Sequence, residues 1–181
     1  MQISAKKPAV TTVGSSDAKL CDRAQKLNTG RHNVLPTKLD NEIQLVNQLY
    51  YMFKNAHRKT GYFRKLVTTR RLLNKYKRID IGNDLKEYAG AFSATIPRLR
   101  ASPEYSKYLI QRLDAVYALL GEIRSSALIA YAHHAENVAR ANFVPYSATA
   151  MAVMARIVTT SAAAQEAVVK NKGLVLELDS R

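Results

Sequence analysis

The chain has 181 residues, of which 28 are lysine or arginine and 14 are aspartate or glutamate, so its formal net charge is +14. A hydrophobic fraction of 47% is enough for a folded core within one domain. Such a charge excess needs an anionic partner, and phosphate is the commonest one, although a membrane surface would also satisfy charge alone. Cys21 is the single cysteine, which excludes an intrachain disulfide and a cysteine-cluster metal site and indicates a reducing compartment.

Residues 1–38 have the composition of a basic tail, because glycine, proline and serine interrupt every apolar period. We expect a flexible segment that either stays solvated or becomes ordered on RNA or on a neighbouring subunit. It lacks the continuous apolar run of a secretory signal, and its acid-poor composition loosely resembles a mitochondrial presequence. The longest apolar stretch of the chain, residues 144–155, is shorter than the roughly 20 residues that a membrane-spanning helix needs.

From Asp40 onward, apolar residues recur at spacings of three and four, which predicts helices. The first helix begins near Asp40, a plausible N-cap, and ends near Thr60. The second runs to about Arg78, where the pattern stops. The third, from about Asp84 to Thr95, ends before a proline.

Two longer helices follow. Ser102, Pro103 and Glu104 form a strong helix start, and that helix extends to about Arg140. The last helix is expected over residues 145–169, with a middle that is apolar on every side, so we place it at the centre of a bundle, with Ala152 and Ala155 at close helix contacts.

The predicted fold is therefore all-α, an elongated helical bundle of about five helices. In this prediction a helical RNA-binding domain over residues 39–169 lies between flexible tails at 1–38 and 170–181. The C-terminal tail contains a stretch at 173–178 that could dock as a short extended segment.

The stretch between Ile43 and Ile79, which covers most of the first two helices, carries ten cations and no acidic residue. Cations in such a set repel one another unless a polyanion offsets their charge, although an ordinary solvated face is the plainer alternative. Four of them fall at helical offsets that place them in one strip, which suits a phosphate backbone: Arg64, Arg71, Lys75 and Arg78. The predicted RNA-binding residues of this hairpin are Lys54, Asn55, Arg58, Lys59, Arg64, Lys65, Arg70, Arg71, Lys75 and Arg78.

Several aromatic residues of the hairpin, and the polar residues that fall on the apolar face of a helix, have more than one interpretation. Tyr51 and Tyr62 are candidates for stacking on unpaired bases, as is Tyr76, and core packing is the alternative for all three. His57 continues the apolar stripe, so we assign it to positioning the hairpin. Arg70 and, in the last helix, Arg156 could mark an edge, a buried ion pair or an RNA contact.

No pattern in the chain supports catalysis. Metal-ligand spacings and phosphate-binding glycine motifs are absent, and the few acids do not pair for acid–base chemistry. Glu136 lies one helical turn from His133, which is better explained as a surface pair. We therefore predict a protein that is not an enzyme, with no catalytic residue, metal site, cofactor or small-molecule substrate.

The hairpin motif Phe53-Lys54-Asn55-Ala56-His57-Arg58, followed by Tyr62-Phe63 and Arg70-Arg71, resembles the K-N-Q-H-R…W-Y…K-R pattern of the RNase MRP-specific protein subunit family, which includes the nucleolus and neural progenitor protein. Downstream, Phe143-Val144 and the helix containing Ala155-Arg156-Ile157 are similar to the family's closing apolar helix. The resemblance covers roughly residues 40–164. Ala56 replaces the family glutamine and Tyr62 the tryptophan, so a glutamine-specific RNA contact does not carry over.

The resemblance implies a helical RNA-binding subunit that works in precursor rRNA processing in the nucleolus, within a particle whose RNA is catalytic. Its expected partners are MRP-type RNA and other protein subunits of RNase MRP or RNase P, and no membrane. Two rival interpretations remain at this point. A ribosomal or mitoribosomal protein binding rRNA would share the size and charge, with a mitochondrial location as one option, and a membrane-surface or helix-scaffold protein would share the weakly charged last helix.

Overall fold

The computed structural model describes residues 24, 27, 37–92 and 101–179. All regular structure in these residues is helical, so the predicted all-α class is confirmed. The helices are α1 (Thr37–His57), α2 (Gly61–Lys77), α3 (Ile81–Gly90), α4 (Pro103–Ala139) and α5 (Val144–Asp179). Within the described part of the chain, no helix combines the length and apolarity needed to cross a membrane.

Local chemistry explains most helix starts. α4 begins at Pro103 as predicted, and the Ser102 hydroxyl accepts a 3.3 Å hydrogen bond from the Tyr105 amide. α3 begins earlier than predicted, because the Asp80 side chain caps it by accepting from the Asn83 amide. It ends at Gly90, whereas the predicted end at Thr95 lies outside the described residues. α1 begins at Thr37, three residues before the predicted cap, which places the Asp40 carboxylate within the first turn, where it suits the helix dipole.

The prediction that Ala152 and Ala155 lie at close helix contacts is wrong. Both are exposed, whereas Ala150, Met154 and Ile157 are fully buried. α5 therefore has one buried face here, although its sequence is apolar on all sides. Alanine raises the apparent hydrophobicity of a segment but buries little area, so exposing it costs little free energy.

Both predicted tails contain structure that the sequence analysis did not anticipate. α5 continues through residues 170–179, so the predicted end at Val169 and the extended segment beyond it are wrong. Val175 and Leu178 are fully buried at helical spacing, which explains the continuation. Near the N-terminus, Ala24 and Leu27 are helical and buried, so the predicted solvated tail is wrong at these two positions, and the rest of residues 1–36 lies outside the described chain.

The chain divides into two compact units. The first comprises residues 1–35, 80–117 and 166–181, and the second residues 36–79 and 118–165, so the predicted domain 39–169 has residues in both. In the first unit the rings of Tyr88 and Tyr105 stack at 5.8 Å, and the Tyr88 hydroxyl bonds to Ser106 at 3.0 Å. Asp84, which is buried in this unit, pairs with Arg112 at 2.9 Å.

The second unit contains the basic hairpin, formed by α1 and α2. Aliphatic side chains with essentially no exposure form its core, among them Val46, Leu66, Leu73, Leu120 and Ile123. Thr69 of α2 is also fully buried, and its hydroxyl is joined to that of Ser126 on α4 at 2.9 Å. This packing determines which face of the hairpin is turned to solvent.

Candidate nucleic-acid interface

A tight turn joins the two helices of the basic hairpin. The Thr60 amide and hydroxyl both donate to the His57 carbonyl, at 2.9 and 2.7 Å, which satisfies a carbonyl at the end of α1. Farther along the hairpin, the rings of Tyr50 and Phe63 stack with centroids 5.9 Å apart. These contacts hold the neighbouring faces of α1 and α2 in a defined register.

A cleft of about 570 Å³ lies between the two helices. Tyr50, Phe63 and Val67 supply its apolar lining, and Thr68 adds a hydroxyl. The remaining lining residues are all among the predicted RNA contacts: Lys54, Asn55, Arg58, Arg64 and Arg71. The structure therefore brings four cations and one amide of the predicted set around a single concave surface.

The electrostatics of this cleft are one-sided. Within the described residues no carboxylate pairs with Lys54, Arg58, Arg64 or Arg71, and the Arg64 guanidinium donates to the Lys59 carbonyl at 3.3 Å. Positive charges without counter-charges in a cleft with an apolar lining strengthen the local electrostatic field and raise the local concentration of anions. Guanidinium groups also match phosphate oxygens with paired donors. The surface is therefore suited to hold a phosphodiester backbone.

The other predicted RNA contacts lie outside the cleft. Arg70 is half-buried, with its guanidinium 4.0 Å from the Tyr50 ring centroid and its Nε donating to Asn47 at 2.6 Å. Arg70 thus packs within the hairpin, through an aromatic ring and an amide rather than the ion pair considered for it. The remaining four are exposed: Lys59, Lys65, Lys75 and Arg78. Lys77, which is one of the ten cations of the hairpin but not a predicted contact, is exposed as well.

The three tyrosines considered for base stacking have different surroundings. Tyr51 is 63% exposed and lies 4.9 Å from the Lys54 ammonium. Tyr62 is half-buried and its hydroxyl is bonded to His57 Nδ1 at 2.7 Å. Tyr76 is buried, and burial together with Asp40 raises the pKa of Tyr76 to about 12. Tyr51 is the one of the three with an open ring beside a cation.

His57 lies in an aromatic cluster at the end of α1. Its ring stacks on Tyr146 at 5.0 Å and meets Phe143 edge-to-face at 4.6 Å. Burial lowers the pKa of His57 below its ordinary value. A neutral imidazole bonded to Tyr62 can fix the turn of the hairpin against α5.

His134 of α4 belongs to the same cluster. It is fully buried, its Nδ1 lies 3.5 Å from the Ser147 hydroxyl, and burial, helped by His133 and His57, lowers its pKa to about 4. Burial also raises the pKa of Tyr146. In the described residues neither His134 Nε2 nor the Tyr146 hydroxyl has a hydrogen-bond partner. Because burial lowers the pKa of His134 and raises that of Tyr146, both groups are uncharged at neutral pH.

Of the interpretations considered for Arg156, the structure supports an ion pair, and its partner, Glu42, was not identified from the sequence. Glu42 is 1% exposed, and its Oε1 lies 2.7 Å from the Arg156 guanidinium. The sequence did contain a signal, because Glu42 lies three residues after Leu39 and four before Val46, on the apolar stripe of α1. An acid at such a position predicts a buried partner, and this pair accounts for the isolated arginine of α5.

Among the residues that the structure describes, no group of three or more histidine, cysteine, aspartate or glutamate side chains is arranged to hold a metal ion. A family model described as nucleolus and neural progenitor protein, N-terminal, matches residues 2–170. Neither a curated protein nor a solved structure matches the chain significantly.

Proposed function

Because the chain belongs to the family of the nucleolus and neural progenitor protein, we propose that it is a non-catalytic, RNA-binding protein subunit of an RNase MRP-type ribonucleoprotein. In this proposal it acts in the nucleolus, with no membrane role and no small-molecule substrate, and holds or shapes the RNA that performs precursor rRNA cleavage. Other protein subunits of the particle are its expected neighbours. The family match supports the nucleolar setting, and the mitochondrial alternative gains no support from it.

The observation that carries the proposal is the cleft between α1 and α2. Four cations line it, and none of them pairs with an acid in the described chain. Each phosphate that they neutralise would release condensed counterions and strengthen binding. Asn55 is exposed at the same cleft and can both donate and accept, which suits a ribose 2′-hydroxyl or a base edge.

Binding measured across a salt series tests this proposal. The cleft variant combines Lys54→Ala with Arg71→Ala, and the probe is an MRP-type RNA transcript. We expect weaker binding and a salt slope lower by roughly 1.4–1.8, which corresponds to two lost phosphate contacts.

The control variant combines Lys107→Ala with Arg124→Ala, which removes the same charge from exposed positions on α4. It should retain most of the affinity and the slope. Equal losses in both variants would show that charge acts diffusely and would contradict the cleft assignment. A ribosomal RNA fragment of equal length, bound more tightly than the MRP-type transcript, would favour a ribosomal protein instead.

The proposal that the chain is non-catalytic has its own test. The purified protein should leave the MRP-type transcript intact, because no acid–base pair is placed at the cleft. Metal-dependent cleavage that disappears on substituting one of the protein's own side chains would overturn it.

A further inference from the structure

The turn between α4 and α5 presents an aromatic ring to solvent. Phe143 is 58% exposed and its φ is 49°, and Ala141 in the same turn has a φ of 55°. Residues with a Cβ rarely adopt this left-handed backbone conformation. Exposure of a large apolar ring to water is also unfavourable. Two unfavourable features thus coincide at one residue, which makes the turn a candidate for a binding role.

The exposed ring is held in place. One side meets the buried His57 ring edge-to-face at 4.6 Å. The Phe143 carbonyl accepts from the Ser147 amide at 2.9 Å, and the Asn142 amide donates to the Asn137 carbonyl at 2.8 Å. Because the backbone on both sides is bonded, the open part of the ring is preorganised and a ligand would not have to order it.

Cations flank His57 and Phe143 in the sequences of the two turns. Arg58 and Lys59 directly follow His57 in the turn of the hairpin, and Arg140 begins the turn that contains Phe143. All three side chains are exposed, and no acid of the described chain forms an ion pair with them. A ligand that suits this place therefore combines a flat apolar group with negative charge, which is the chemistry of a nucleotide in a single strand.

We propose that Phe143 is a stacking platform for an unpaired nucleobase of bound RNA, with Arg58, Lys59 and Arg140 holding the flanking phosphates. This inference rests on the proposed function and adds a second contact region to the cleft. It predicts that the protein prefers RNA with a single-stranded segment over a blunt duplex. A protein partner that inserts Phe143 into an apolar pocket is the competing explanation, and the experiment separates the two.

The chain contains no tryptophan, so Phe143→Trp introduces a single indole at the proposed platform. A short single-stranded oligoadenylate should quench its fluorescence, because adenine stacks on the indole. Inorganic polyphosphate should bind without quenching, since it has charge but no base. Leu128→Trp is the matched control, because Leu128 is 50% exposed on α4, and its indole should respond to neither probe.

A second variant measures the energetic contribution. Phe143→Ala should weaken oligoadenylate binding roughly 5- to 150-fold, as expected for the loss of one stacked base, and should leave the salt slope unchanged. Circular dichroism checks that the helices are retained. Phe143→Tyr, which keeps an aromatic face, should retain the affinity.

The outcomes distinguish the two proposals. If the MRP-type transcript does not bind, the proposed RNA-binding function fails, and this inference fails with it. If the transcript binds but oligoadenylate neither quenches the indole nor loses affinity in Phe143→Ala, the platform alone is refuted and RNA binding stands. Quenching together with the expected loss of affinity supports the platform.

Discussion

The charged residues of this molecule have different roles although many of them look alike in the sequence. Arg156 and Arg71 are both exposed arginines on helices. Arg156 is committed to the buried carboxylate of Glu42, whereas Arg71 lines the cleft and pairs with no acid of the described chain. Only the second kind is available to an anionic ligand without a loss of folding stability.

Removing Arg156 should therefore affect stability more than binding. Arg156→Ala leaves the Glu42 carboxylate buried without its partner, and an unsatisfied buried polar group costs about 1–3 kcal/mol. We expect the free energy of unfolding, measured by urea titration, to fall by about that amount. Arg124→Ala, at an exposed position, should change it little.

The reverse substitution checks the explanation. Glu42→Met together with Arg156→Met replaces the pair with apolar side chains, which is often neutral for stability. The double variant should recover most of the stability that Arg156→Ala loses. A double variant as unstable as the single one would show that the ion pair is not the cause.

The buried histidine gives a pH dependence whose sign can be worked out. Burial lowers the pKa of His134 from 6.5 to about 4 in the folded protein, so the unfolded chain takes up the proton first as pH falls. The stability from the neutral ring is fully present above about pH 6.5 and is lost as pH falls toward 4, with an upper limit of about 3 kcal/mol.

NMR titration of the His134 ring tests this prediction directly, together with urea unfolding near neutral pH and near pH 4. The ring should stay neutral until the pH approaches 4, and His134→Gln should reduce the acid-induced loss of stability. A ring that titrates near the ordinary histidine value would contradict the effect of burial.

At the scale of helices, the sequence allowed good predictions where specific end signals exist. The start of α4 at Pro103 was predictable because capping chemistry is local. The end of α1, predicted near Thr60, lies close by at His57. The face that a helix buries was harder to predict where alanines are frequent, as in α5. Ala150 and Ala152 are chemically identical, and only the packing of neighbouring helices determines which one is covered.

The same limit applied to the candidate site. The acid-free stretch between Ile43 and Ile79 was evident from the sequence, and the cleft contains half of the predicted contacts. Arg70 and Arg71 nevertheless diverge, because successive residues point roughly 100° apart around a helix. Arg71 lines the cleft, whereas Arg70 packs on Tyr50. The exposure of the Phe143 ring could not be predicted either, because it results from a left-handed turn that no residue type in the sequence signals.

The end of α5 allows a test of the corrected boundary. Gly173 lies within the helix, and a Cβ added there would meet nothing within 4 Å. Gly173→Ala should therefore raise the free energy of unfolding by about 0.5–1 kcal/mol, because alanine favours helix over the unfolded chain more than glycine does. Urea titration measures the gain, and an extended tail at this position would give none.

Gly121→Ala in the middle of α4 is the matched comparison. There the added Cβ would lie 3.4 Å from the Gln165 amide nitrogen, which belongs to a flexible side chain. A similar gain at Gly121 with no gain at Gly173 would show that α5 is frayed beyond residue 170.

For the whole molecule, the net charge of +14 has a consequence for folding as well as for binding. The ten cations of the hairpin repel one another, and this repulsion lowers the stability of the folded state in the absence of a polyanion. Salt screens charges over about 10 Å at an ionic strength of 0.1 M, so added sodium chloride should weaken the repulsion.

We therefore expect the melting temperature of the protein without RNA to rise when sodium chloride is added from a low starting concentration. The few ion pairs of the described residues respond in the opposite direction, but they are outnumbered by the unpaired cations of the hairpin. Neutralising two exposed cations outside the cleft, with Lys65→Gln and Lys75→Gln, should raise the melting temperature at low salt and reduce its dependence on salt. A melting temperature that falls as salt is added would mean that attraction between opposite charges outweighs repulsion between cations in the folded protein. A bound polyanion would then not be expected to stabilise the hairpin by relieving repulsion.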